Sequence, residues 1–123
     1  MSASIYDRYG GFATVRKVVS SFYDRVLDSQ VIGHRFESVD MVRLIDHQSR
    51  FIATVMGGPA SYTDEHLRRI HAHLAITHAE FTEMASLLTE TLEDQGFADP
   101  DVASVMQEIR RREGSVVAEP ATA

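Results

Sequence analysis

The long apolar-bearing segments of this chain repeat their apolar residues at the period of an α-helix, and glycine and proline are concentrated between such segments. Val15, Val19, Phe22 and Val26 fall at i, i+4, i+7 and i+11, which predicts a helix from Phe12 to about Leu27, with Tyr23 bordering the same face. A short amphipathic piece over residues 4–9 precedes it and stops at Gly10-Gly11. Asp40 is the expected N-cap of a second helix, Met41 to Met56, with Leu44, Ile45, Phe51, Ile52 and Val55 as its stripe and Gly57-Gly58-Pro59 as its end. Thr77-His78-Ala79-Glu80 fits a capping box that opens a third helix, running to about Gln95 on Phe81, Met84, Leu88 and Leu92. Asp99-Pro100 reads as an N-cap with proline at N1, starting a last helix to about Glu113 on Val102, Val105, Met106 and Ile109. No stretch alternates for long as a strand would. The expectation is an all-α fold: one domain over residues 1–114, with 115–123 a disordered C-terminal tail.

Polar residues interrupt the apolar faces at three places. Over residues 66–81, Leu67, Ile70 and Leu74 form the stripe of a short helix, and His71 sits in its middle. A histidine pointing inward needs a partner, because an unpaired buried polar group costs about 1–3 kcal/mol. A backbone carbonyl or a water is one such partner and a metal is another. In the helix after Asp40, the period asks for an apolar residue at position 48 and finds Gln48, with His47 beside it. Tyr23 is the third. Three such groups in 123 residues suggest a shared polar purpose inside an apolar pocket.

Several chemistries are excluded. His71 and His73 would point about 200° apart on a helix, and there is no H-E-x-x-H, so a zinc site is not indicated. His66, His73 and His78 are expected in solvent or at helix caps, and His34 lies in a connection without an assigned role. There is no G-x-S-x-G and no phosphate-cradling glycine loop. The absence of cysteine removes disulfides, thiolate-held clusters, thiol catalysis and C-x-x-C-H haem attachment. A formal charge of −6 argues against nucleic acid and anionic membranes as partners. The basic run Arg110-Arg111-Arg112 is expected to be a solvated helix end. No apolar run is long enough to span a bilayer, and the first residues lack a secretory pattern, so a cytoplasmic location is expected. What remains is a helical pocket with one histidine on each of two helices, into which a flat apolar cofactor with an axial ligand would fit.

The stretches IYDRYGG, VVSSFYDRVL, VDMVRLIDHQSRFIATVMGGP and YTDEHLRRIHAHLAIT followed by HAEF, in this order and spacing, resemble a group I truncated haemoglobin from about Ile5 to Ile109. Both glycine pairs match hallmarks of that family. The resemblance implies a two-over-two helical sandwich around haem. Position by position it makes His71 the proximal iron ligand, Phe36 the phenylalanine packed on the porphyrin, Tyr23 the distal hydroxyl that hydrogen-bonds the gas ligand, and Gln48 its supporting amide. Leu44, Phe51, Ile76 and Phe81 would line the haem. His47 matches a position where some relatives carry a sixth iron ligand in the absence of gas, or else it is an exposed residue near a propionate. Covalent haem attachment through a last-helix histidine is not open to this chain, because no histidine follows His78. The implied cofactor is therefore non-covalent haem b.

The implied function is reversible binding of O₂, and also CO and NO, by a monomer. Two alternatives stand beside it. One is an NO dioxygenase served by an external reductase, since the chain has no flavin or nicotinamide motif. The other is an electron-transfer or redox-sensing haem protein held six-coordinate by His47 and His71.

Overall fold

The computed structural model describes residues 3–59 and 76–117. The helices in this portion are α1 (Ile5–Arg8), α2 (Phe12–Asp28), α3 (Met41–Val55), α4 (His78–Asp94), α5 (Asp99–Arg111) and α6 (Glu113–Val116), with a 3₁₀ turn at Gly33–Phe36 between α2 and α3. Among the described residues there is no β-ladder, only a single parallel bridge between Ile76 and Val117. None of the helices here is long and apolar enough to cross a membrane. The segment around His71, expected to be a short helix, lies outside the described residues.

Local sequence explains where the helices begin and end. Gly10 and Gly11 both take positive φ, at 107° and 74°, and turn the chain from α1 into α2. The Asp40 side chain accepts from the Arg43 amide at 3.3 Å and caps α3. Thr77 and Glu80 form the complete capping box of α4, with both reciprocal bonds made. Asp99 departs from its expected role. It is the first residue of α5 rather than its cap, Ala98 occupies the cap position, and Asp99 and Asp101 place negative charge in the first turn. Beyond Gly114, where a tail was expected, α6 continues the helical structure to Val116, and Val117 bridges back to Ile76.

α2 lies at the centre, packed on α3 and on α4, while α5 packs against α4 and α3. Val15, Val18, Val19 and Val26 of α2 are fully buried, with Ile32, Leu92, Val105 and Met106 around them. Each such side chain contributes about 1.5–3 kcal/mol through loss of water contact. Ser49 is buried in the middle of α3, where its hydroxyl donates to the Ile45 carbonyl at 2.7 Å, so a polar residue sits in the core without an unmet bond. At one end of the bundle, α1 is clasped to the start of α5. Arg8 makes two hydrogen bonds to Asp101, of 3.1 and 2.6 Å, and the Tyr9 hydroxyl donates to the same carboxylate at 2.6 Å. The Tyr9 ring stacks on Phe97 with centroids 3.9 Å apart.

Candidate functional site

α2, α3, α4 and the 3₁₀ turn enclose a cavity of about 270 Å³, to which Ile76 and Val116 add wall from the far end of the chain. Tyr23, Phe36, Leu44, Gln48, Phe51, Ile76 and Phe81 all line it. Those positions come from five separate segments, and the fold brings them to one place. The rest of the wall is largely apolar, including Val19, Met84 and Leu88.

Tyr23 is 3% exposed, held edge-on between Phe22, with centroids 4.9 Å apart, and Phe36, at 5.8 Å. Burial raises its phenol above the ordinary tyrosine range, because the phenolate would lose its hydration. The group is therefore a proton-bearing donor at any physiological pH. Neither its hydroxyl nor the Gln48 amide makes a hydrogen bond to another described residue. Two donors on an apolar cavity wall have nothing within the described protein to give to. His47 differs from its neighbour: it is exposed on α3 and is not part of the cavity wall. His71 lies outside the described residues.

Three charged residues in the wall were not expected there. Arg35, on the 3₁₀ turn, binds Glu80 of α4 through two nitrogens, Nε and Nη2, the latter at 2.7 Å from Oε1. The same carboxylate accepts from the Thr77 amide at 2.9 Å, so Glu80 closes the capping box and an ion pair together. Arg35, then the Thr77 amide and hydroxyl, pull the Glu80 pKa down to about 2, against the opposing effect of burial. The capping-box pattern revealed one of these roles. Nothing local to Glu80 signals a partner 45 residues away. The third is Arg112, expected in solvent with Arg110 and Arg111. Only those two are exposed; the Arg112 side chain is 13% exposed, bonds the Glu108 carbonyl at 2.8 Å, and lies 5.8 Å from the Phe51 ring centroid.

Such a lining suits a planar, mainly apolar organic cofactor. The aromatic and aliphatic walls exclude water, the unmet donors of Tyr23 and Gln48 would serve a small ligand, and Arg35 and Arg112 add positive charge.

Comparison with known proteins agrees. A family model described as bacterial-like globin matches residues 4–117. The chain is 35% identical to the group 1 truncated hemoglobin GlbN of Mycolicibacterium paratuberculosis over 85% of this chain and 76% of that protein. It is 32% identical to the protein of the same name from Synechocystis sp., over 84% and 86% of the two chains. Among solved structures, the 2/2 hemoglobin of Synechococcus sp., in the cyanomet state and with covalently attached heme, superposes with a TM-score of 0.88 at 25% identity, covering 95% of this chain and all of that one (100%).

Proposed function

The chain belongs to the group I truncated haemoglobins, a two-over-two globin family whose members bind gaseous ligands at haem, and on that basis we propose that it binds O₂ reversibly at haem b, with CO and NO as competing ligands. The observation that carries this is the pair of donors, buried Tyr23 and half-buried Gln48, that face a largely apolar cavity with no hydrogen-bond partner among the described residues.

Haem would supply an iron able to bind a diatomic gas, and His71 is the residue that would hold that iron. The Tyr23 hydroxyl donates to the gas, which carries partial negative charge when it is O₂. That contact would give the hydroxyl, which faces the cavity, a partner inside it. Gln48 donates to the same atoms or orients the hydroxyl. Phe36, Leu44, Phe51, Ile76 and Phe81 pack against the cofactor and keep water out. The group is held without a covalent bond, since no histidine follows His78. The exposure of His47, outside the cavity wall, favours its reading as a surface residue near a propionate rather than as an iron ligand.

Absorption spectra of the ferric, ferrous and CO-bound states test the cofactor and its coordination together. A chain with no Soret band after addition of haem would end this reading. Tyr23→Phe is expected to release O₂ about tenfold faster, the equivalent of ~1.4 kcal/mol for one hydrogen bond in a dry site, and to leave CO release nearly unchanged. Equal O₂ release from the parent and the variant would remove Tyr23 from the site. Replacing His47 with alanine is expected to leave the gas-free spectra unchanged, and a shift from low to high spin would instead make it a ligand.

A further inference from the structure

The exposed large hydrophobic residues among those described all fall between positions 27 and 42. They are Leu27 and Val31, each 45% exposed, Val39 at 39% and Val42 at 77%. Apolar surface concentrated in one stretch marks an interaction site more often than scattered single residues do. Here it adjoins the candidate cofactor cavity. Leu27 and Phe36 share an open groove with Ser29, Gln30 and Glu37, and Phe36 and Val39 also form part of the cavity wall. One aromatic side chain, Phe36, is thus shared by the exposed groove and the cavity.

Charge indicates what docks there. Asp24, Asp28, Glu37 and Asp40 are all exposed in the same stretch, and Asp24, Leu27 and Asp28 share one face of α2. Among the described residues, no ion pair neutralises any of the four. Of the described cations in this stretch, Arg25 is committed to Asp94 and Arg35 to Glu80, His34 lies 4.0 Å from the same Glu80 carboxylate, and Arg43 is left. A second copy of the chain would bring the same negative charge to the interface, and an anionic membrane would be repelled.

We propose that the groove of Leu27, Phe36 and Glu37, with the exposed acids Asp24 and Asp28 on the adjoining face of α2, is the docking surface for a cationic one-electron donor protein. The inference rests on the haem reading above. One electron passes from the donor to the ferric globin, which becomes ferrous and again competent to bind O₂. The donor is oxidised by one electron, and no bond is made or broken. Small interfaces with steering charges suit such transient redox encounters.

Cytochrome c, a lysine-ringed haem protein, is a suitable probe. In anaerobic rapid mixing, the ferrous globin should reduce ferric cytochrome c at a rate that falls steeply with ionic strength. The double variant Asp28→Lys with Glu37→Lys should slow it about tenfold at low salt. Asp7→Lys, on α1 beyond the other end of α2, should slow it less than twofold. Amide shifts of ¹⁵N-labelled ferrous CO protein on addition of cytochrome c should cluster at residues 27–42. Equal slowing by Asp7→Lys, or shifts centred elsewhere, would overturn the docking surface while leaving the cofactor reading intact. A chain without a Soret band would overturn both.

Discussion

Glu80 shows how much one buried side chain can carry. Its two oxygens serve the Thr77 amide and the Arg35 guanidinium, and so hold the start of α4 to the turn that bears Phe36. Its pKa in the fold is about 2, below the 4.5 of a free glutamate. The depressed value means that its contribution is fully present above pH 4.5 and is lost as pH falls from there through about 2. Over that window the linkage is worth up to ~3 kcal/mol. Glu80→Gln keeps a carbonyl for the Thr77 amide and loses the charge. Urea unfolding should therefore find it ~2 kcal/mol less stable than the parent at pH 7, with the gap roughly halved at pH 3. A gap independent of pH would show that the carboxylate is not what stabilises this junction. Tyr23 sits at the other extreme. It is pushed upward by burial with no compensating partner among the described residues, a condition that stability alone does not favour.

At the level of elements, the sequence was most legible where the physics is local. The Asp40 cap and the Thr77–Glu80 box are read from residues three apart, and both are formed. The start of α5 was misplaced by one position because aspartate is favourable both as a cap and in the first turn, so the pattern fits either register. Of the polar breaks in the apolar stripes, Tyr23 and Gln48 lie in the cavity wall, His47 does not, and His71 is outside the described residues. It was not legible at Arg35 and Arg112, because a charged residue reads as solvated until a distant partner covers it. The end of the domain was misjudged for a related reason. GSVV has no period of its own, yet Val116 lines the cavity and Val117 bridges to Ile76. Truncation after Gly114 is expected to speed haem loss to apomyoglobin about tenfold. An unchanged rate would show that the wall closes without α6.

Across the whole molecule, stability and site occupy opposite ends of α2. The clasp of Arg8, Tyr9, Phe97 and Asp101 ties residues about 90 positions apart, and neither it nor α1 contributes to the cavity wall. Tyr9 is its centre: the hydroxyl donates to Asp101, accepts from the Ala98 amide at 3.0 Å, and rides on a ring stacked with Phe97. Tyr9→Phe keeps the stack and removes both hydrogen bonds. It leaves Asp101 with Arg8 alone, at a cost of about 1–2 kcal/mol. In a chain of this length that lowers the melting temperature by roughly 4–10 °C. The Soret spectrum and the O₂ release rate should not move, because the helical turns of α2 from Val15 to Phe22 stay packed between the clasp and Tyr23. Tyr23→Phe should do the reverse, changing gas release with little loss of melting temperature. If Tyr9→Phe altered gas release as much as Tyr23→Phe does, the two ends of α2 would be coupled, and the clasp would belong to the site rather than to the scaffold that holds it.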